Sequence, residues 1–487
     1  MPPMHIVFAA PECVPFAKTG GLADVVGALP QQLVRMGHQV TVYLPYYRQI
    51  AVKTPEKVYA VRSLTIPFQY YNRFVGILDG GERNGVRYYF VECPELFDRE
   101  FLYGSPSGDY LDNWERFGLF ARAVLEASKL LGVPDVFHVH DWQTGMLPVY
   151  LRTTYATDPM LFRAGVVMTV HNAGYQTYFP PQTTERLLLP WDTFTMDKLE
   201  HYDTFNFLKG GIIYSDAVTT VSKRYAQEIQ TPEFGFSLEG VFQRRSADLH
   251  GILNGVDYAD WDPSHDGYIA AHYTPEKLEA KQICRKDLLH AFGAPSIAEN
   301  IPVLSIVSRF ATQKGFDILA DAADRLLVKN VVLIVLGTGE PYYENIFREM
   351  ENHHPGKVFV KVAYDNALAH KVEAGGDLFL MPSRYEPCGL NQIYSLRYGN
   401  VPVVHATGGL DDTIQPWNGA EKSGTGFKFH DYSSDALLSS IDEALAVFAD
   451  KADWQTLMRN GMAQDYSWTN PAREYEALYN EVARRRS

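Results

Sequence analysis

Short, continuous apolar runs alternate along this chain with longer stretches in which apolar residues recur at helical spacing. In the first half the runs are HIVFAA (5–10), QVTVYLP (39–45), VRYYFVEC (86–93), VFHVH (136–140), GVVMTVH (165–171) and AVTTVS (217–222). Apolar runs bounded by turn residues suit strands buried on both faces, and the stretches between them suit the helical crossovers that parallel strands need. The pattern restarts at PVLSIVS (302–308), NVVLIVLG (330–337), VFVKVA (358–363), DLFLMPS (377–383) and VPVVHA (401–406), with helices predicted over 315–328 and 366–375. The expected fold class is therefore α/β, two doubly wound Rossmann-like domains facing across a deep inter-domain cleft.

Two stretches break the alternation. Residues 61–80 are followed by turn signals at Asp79-Gly80-Gly81 and Asn84-Gly85, which predict an antiparallel excursion. Residues 250–267, rich in Gly, Asn, Asp and Pro, read as the connection between the halves. The expected division is a first domain over 1–250, a second over 251–465, and a closing helix over 466–487. Thr469 or Asn470 is placed to cap that helix, with Pro471 in its first turn. No internal repeat or low-complexity tract appears.

Composition narrows the function classes. At 487 residues the chain is too long for one core. A formal net charge of −14 argues against nucleic acid as the main partner, though not against a local basic site for an anion. The four cysteines, Cys13, Cys93, Cys284 and Cys388, form no CxxC pair, so neither a zinc site nor a disulfide framework is expected. No run approaches the ~20 apolar residues of a membrane span, and no apolar signal core opens the chain. The expectation is a soluble, cytoplasmic protein, or one of the plastid stroma in a plastid-bearing organism, without membrane contact.

Chemistry concentrates in loops after strands, where doubly wound folds place ligands. After the first strand, Lys18-Thr19-Gly20-Gly21 leads into a helix near Leu22-Ala23-Asp24, an arrangement that turns backbone N–H groups outward toward an anion. A tight turn with a surface lysine is the alternative. Asp141 follows the strand VFHVH, and His171 and Asn172 follow the next one. Asp141 is either a helix N-cap or, with His171 and Asn172, one of several fixed partners for sugar hydroxyls. In the second half, Arg309 and Lys314 sit five apart across a loop and can converge on a diphosphate, or else remain two solvated cations. Glu386, in MPSRYEPCGLNQ, precedes a helix expected near Leu390. There it either caps the helix or stabilises an oxocarbenium-like charge on a sugar. A second Gly-Gly loop, with Asp411 and Asp412, lies in VVHATGGLDDTI (403–414). Asp260-Trp261-Asp262 has the form of a DxD metal motif, but its place in the connecting loop argues against a metal.

KTGGLADVVGALP, HVHDWQTG, TVHNAGYQ, ILNGVD, SRFATQKG, PSRYEPCGLNQ and TGGLDDTI occur together in one order. From about residue 5 to 475 the chain resembles the bacterial glycogen synthases and plant soluble starch synthases. These are retaining glucosyltransferases of the GT-B fold, glycosyltransferase family 5. The resemblance implies that Lys18, with Gly20 and Gly21, lies at the nucleotide-sugar phosphates, that Asp24 is a further substrate-binding residue, and that Arg309 and Lys314 neutralise the diphosphate leaving group. It implies that Glu386 is the principal catalytic carboxylate, with Cys388, Gly389 and Leu390 in its motif. Asp141, His171 and Asn172 line the glucose and acceptor side, and Tyr364 packs on the base. It further implies that the closing helix crosses back to the first domain. Asn391 stands where threonine is common, and Asp411 where small or basic residues often occur.

The implied reaction is transfer of glucose from ADP-glucose to an α-1,4-glucan acceptor (glycogen, starch or a maltooligosaccharide) with retention of configuration. No metal or other cofactor is expected. UDP-glucose as donor and a non-catalytic glucan-binding homologue are the competing readings, and oligomeric state is not legible.

Overall fold

The computed structural model describes residues 2–54, 56–105 and 107–486. It divides into two compact units. The first holds the residues up to Val221, Ala226–Gly255 and those from Trp468 onward; the second holds Ser222–Tyr225 and Val256–Ser467. Each is built on a parallel sheet flanked by helices, so the α/β, doubly wound class read from the alternation is the fold observed.

In the first unit the strands lie in the order Leu249–Gly251, Ala217–Thr220, Gly165–Val170, Val136–His140, His5–Ala9, Gln39–Pro45, Val86–Glu92, Asn72–Arg83, Tyr59–Pro67. The pairings from Leu249–Gly251 through Val86–Glu92 are all parallel, and the two remaining strands add antiparallel. The antiparallel excursion is thus present. Its turn, however, lies at Asn84-Gly85, whose φ values of 51° and 81° are those a type I′ hairpin turn requires. Asp79-Gly80-Gly81, expected as a turn, is instead an irregularity inside the strand Asn72–Arg83, where the register slips between Asp79 and Glu82. Gly80 is needed there because a Cβ would meet the Phe90 ring at 2.7 Å.

The chain builds this sheet outward from the central strand His5–Ala9, first to one side and later to the other. The order therefore reverses between His5–Ala9 and Val136–His140, and the loops leaving those strands open at the point where such sheets bind ligands. The helix Thr469–Arg486 belongs to this unit. Ala472, Tyr475, Leu478, Tyr479 and Val482 form its buried face, and it lies so close to the strand Gly165–Val170 that a Cβ on Gly165 would stand 2.4 Å from Val482. Tyr479 Oη sits 2.8 Å from His138 Nδ1, both fully buried. Thr469 is already the first helical residue, so the helix begins one residue earlier than a cap at Thr469 would set it.

The second sheet is parallel throughout, in the order Val358–Val362, Val332–Gly339, Val303–Phe310, Leu378–Met381, Val401–His405, Phe427–Phe429. The order reverses between Val303–Phe310 and Leu378–Met381. The helices Phe316–Leu327 and Asn366–Gly375 lie where the apolar spacing places them. Asp365 caps the latter by accepting from Leu368 N at 2.9 Å. In the two main sheets the strands Leu249–Gly251 and Phe427–Phe429 went unread, each three residues long and too short to show a period.

Candidate active site

In the first unit the loop after His5–Ala9 is organised by a residue that sequence reasoning missed. Glu12 is buried, and its carboxylate accepts the Thr19 backbone N–H, the Thr19 hydroxyl (2.5 Å), the Gly20 N–H (3.3 Å) and the Tyr103 hydroxyl (2.6 Å). This corrects the expectation that the N–H groups of the loop turn outward: those of Thr19 and Gly20 face an internal anion. The helix that follows runs Gly21–Arg35. Half-exposed Lys18 reaches Asp24 at 2.7 Å, and this contact, second to burial, acts on the Asp24 carboxyl. Burial lifts that carboxyl above its ordinary range, while Lys18 draws it down. A Cβ at Gly20 would touch nothing, which leaves its outer face open for the approach of another group.

Across the strand-order reversal, Asp141 does not cap a helix. Its backbone is left-handed, with φ 55°, and its Oδ1 accepts the His171 N–H at 2.7 Å. This links the ends of two adjacent strands. Burial pushes its carboxyl up to about 7, with the His171 and Asn172 N–H groups pulling the other way. His171 Nε2 stands 3.0 Å from His140 Nδ1, and the His140 ring packs 4.2 Å from that of His138. Burial draws His171 down to about 3 and holds His138 and His140 well below the ordinary imidazole value, so all three are neutral at physiological pH. The structure thus joins Asp141, His171 and Asn172 in one hydrogen-bonded corner.

In the second unit Lys314 and Glu386 meet at the reversal. Lys314, in the turn Thr312–Lys314, donates to Glu386 Oε2 at 2.6 Å, and Ser383 Oγ donates to the same oxygen at 3.0 Å. Glu386 is 6% exposed. The following helix begins at Asn391, with Leu390 at its N-cap position as expected, and no side chain caps it, so Glu386 is not a helix cap. The anion that offsets the cation ahead of the helix Phe316–Leu327 is this carboxylate. Arg309 lies exposed near the end of its strand. Tyr364 is 85% exposed at the end of the edge strand, with Val332–Gly339 between it and the strand of Arg309. Cys388 is buried, and Gly389 adopts φ 72°. Asn391 holds Val307 O at 2.6 Å and Asp411 pairs with Lys428 at 2.8 Å.

Glycines let these loops touch. Gly315 has φ 73°, and a Cβ there would fall 1.9 Å from Pro382 O; Gly408 has φ 45°, and a Cβ would fall 1.9 Å from Glu386 O. Gly409 N donates to Glu386 O at 3.0 Å. Three motifs far apart in sequence, SRFATQKG, PSRYEPCGLNQ and TGGLDDTI, are thereby one packed backbone assembly around Glu386.

The connecting-loop carboxylate Asp262 accepts from Arg397 Nε at 3.0 Å and from Ser264 N at 2.9 Å. Among the described residues, no group of three or more His, Cys, Asp or Glu side chains is placed to hold a metal ion. All four cysteines are buried, and none forms a disulfide. No helix among the described residues is long and apolar enough to cross a membrane.

Two parallel doubly wound units, each with polar loops at its strand-order reversal, are the make-up of the GT-B glycosyltransferases. A sucrose-phosphate synthase from Thermosynechococcus elongatus, 17% identical with a TM-score of 0.60 over 98% of this chain and 99% of its own, shares that fold. The family model described as starch synthase catalytic domain matches residues 5–244, and that of glycosyl transferases group 1 matches 291–454. A glycogen synthase of Koribacter versatilis is 56% identical over 98% of both chains. One of Anaeromyxobacter dehalogenans is 44% identical over 99% of this chain and 100% of its own. The catalytic domain of starch synthase IV from Arabidopsis thaliana, solved bound to ADP and acarbose, is 31% identical with a TM-score of 0.89, covering 99% of this chain and 100% of that one. The chain belongs to the glycogen and starch synthase family.

Proposed function

We propose that the protein is a cytoplasmic glucosyltransferase of glycosyltransferase family 5 that moves glucose from ADP-glucose to the non-reducing end of an α-1,4-glucan. The observation that supports this most directly is the Lys314–Glu386 pair at the strand-order reversal of the second unit, in a chain whose fold matches a starch synthase solved with ADP and acarbose. In this reading the acceptor's 4-hydroxyl attacks the anomeric carbon on the face from which ADP leaves, its proton passes to the departing phosphate oxygen, and configuration is retained. Glu386 stabilises positive charge on the sugar as the bond breaks. An ammonium has three N–H donors, so Lys314 can keep Glu386 oriented and still meet a diphosphate oxygen. Arg309 and Lys18 add charge at the phosphates, alongside Gly20 and Gly21, and Asp24, paired with Lys18, is a further substrate-binding residue. Tyr364, free to stack, meets the base, and Cys388, Gly389 and Leu390 shape the backbone about Glu386. Asp141, His171 and Asn172 bind sugar hydroxyls. These cations take the part a metal would have, so no cofactor is needed.

A donor matrix tests the reading: ADP-glucose and UDP-glucose, each with glycogen and with maltooligosaccharides, with and without EDTA. Faster transfer from ADP-glucose, insensitive to the chelator, is the expected result. Faster transfer from UDP-glucose would overturn the donor assignment, and no chain extension with either donor would overturn the activity.

A further inference from the structure

Behind the Asp141 corner, the row of histidines holds a residue to which the transfer reaction has so far assigned no part. His138 and His140 lie two places apart on the strand Val136–His140, so their rings share one face of the sheet. Phe8 of the neighbouring strand packs against both, with ring centres 4.8 Å and 5.7 Å away, and stacks on His140 with planes 17° apart. His138 is engaged at both nitrogens: Nδ1 stands 2.8 Å from Tyr479 Oη and Nε2 stands 2.6 Å from Thr169 Oγ1. His140 is not. Its Nδ1 stands 3.0 Å from His171 Nε2, while its fully buried Nε2 has no hydrogen-bond partner among the described residues.

An apolar ring would fill the same space without an orphaned nitrogen, which is unfavourable inside a protein. What histidine supplies here, and phenylalanine would not, is the single contact to His171. Its setting keeps the ring in place. Phe8 and His138 pack against it, and Thr144 Oγ1 accepts from the His140 backbone N–H at 2.6 Å and donates to its carbonyl at 2.8 Å. His171 is the outermost ring of the row. It is partly exposed, Asp141 holds its backbone N–H, and its Nδ1 has no partner among the described residues.

Burial keeps both imidazoles neutral, so within the pair one nitrogen donates and the other accepts. If His171 donated from Nε2, His140 would carry its own proton on Nε2, a buried N–H without an acceptor, which folded proteins rarely keep. The arrangement free of that orphan has His140 Nδ1–H donating to His171 Nε2. His171 then carries its proton on Nδ1.

We propose that His140 is a positioning residue for transfer: it holds His171 in one orientation and one tautomer, so that His171 presents its Nδ1–H to an oxygen of the sugar. The proposal rests on the reading of His171 as a sugar-binding residue. A hydrogen bond from a ring locked by packing is what fixes such a group in productive geometry.

The experiment compares two replacements that divide the functions of the ring. His140→Phe keeps the packing and removes the donor, whereas His140→Asn keeps an N–H near the position of Nδ1 and packs worse. Transfer to glycogen and Tm are measured for both, and for His171→Ala. Isotope-labelled histidine, whose Cδ2 resonance separates the two neutral tautomers, reports on His171, its signal identified by its loss in His171→Ala. The expected result is that kcat falls about tenfold or more in His140→Phe and stays within about threefold of the parent in His140→Asn, although the latter melts lower. His171 should be the Nδ1–H tautomer in the parent and a mixture in His140→Phe. The reverse ranking of the two variants means that packing alone matters and overturns the proposal, as does an Nε2–H tautomer in the parent. Should His140→Phe not fold, the tautomer in the parent and the turnover of His140→Asn still decide. Parent-like transfer by His171→Ala overturns the reading of His171 itself.

Discussion

Lys314 Nζ lies 2.6 Å from Glu386 Oε2, and the two side chains are largely withdrawn from water. Removing either partner leaves the other charge uncompensated, which in buried pairs is costly. Glu386→Gln keeps an acceptor for Lys314 and Ser383 while removing the charge. We expect its turnover to fall at least about 100-fold, the range found when a transition-state electrostatic contact is lost, with ADP affinity nearly unchanged. Lys314→Met strands the carboxylate and should lower stability by about 1–3 kcal/mol, allowing for partial exposure of the lysine. A double-mutant cycle in urea, read with calorimetric ADP binding, measures both. Near-normal turnover in Glu386→Gln would remove its assigned role.

Gly408 and Gly20 give opposite forecasts for the same substitution. Gly408→Ala puts a methyl 1.9 Å from Glu386 O at a positive φ, so it should displace the Glu386 loop, lower Tm by several degrees and cut kcat about tenfold or more. Gly20→Ala meets no protein atom, so its Tm should not change. If a donor phosphate approaches that backbone, KM for ADP-glucose rises while kcat holds. A Gly20→Ala enzyme with unaltered donor saturation would argue against the phosphate contact.

The fold was legible because buried parallel strands are continuous apolar runs. His5–Ala9, Val136–His140 and Val401–His405 could be found one at a time. What no local pattern carries is strand order. That His5–Ala9 is central, and that Leu378–Met381 lies beside Val303–Phe310, follows from crossovers, and those crossovers bring Glu386 to Lys314. Local reading accordingly gave Glu386 a helix terminus as its partner when the true partner is 72 positions away. Glu12 was missed for the same reason. It stood in plain view at the end of the first strand, but its donors come from Thr19, Gly20 and Tyr103. Asp141 read as a possible N-cap because a carboxylate after a strand usually is one; its left-handed backbone sends the side chain to the neighbouring strand instead.

The buried Asp141 carboxyl predicts a pH dependence. Its folded pKa of about 7 lies above the ordinary carboxyl value, so its contribution to stability is present at low pH and is lost as pH rises through 7. His138, His140 and His171, drawn down by burial, act oppositely: they favour the fold at neutral pH and oppose it as the medium becomes acidic. The difference between Asp141→Asn and the parent isolates the aspartate. The variant should gain on the parent between pH 4 and 8, by up to about 4 kcal/mol if the whole shift is realised. Parallel denaturation profiles of the two proteins across that range would show the carboxyl to be unperturbed.

Tyr479→Phe removes the hydroxyl that meets His138 Nδ1 inside the first unit. A buried ring nitrogen then loses its partner, at a cost of about 1–3 kcal/mol. Urea denaturation followed by fluorescence should show that loss, and an unchanged midpoint would mean the contact contributes nothing.

Because the helix Thr469–Arg486 completes the first unit while Val256–Ser467 forms the second, the second unit is an insertion in the first. On a ribosome the order of synthesis and the order of completion therefore differ. The sheet begun at His5 emerges before the second unit, yet the helix that covers His138 and the strand Gly165–Val170 emerges only after it. Until then the growing chain presents an apolar strand surface without its cover, and the stretch of synthesis most exposed to misassociation runs from the end of the first sheet to the helix Thr469–Arg486.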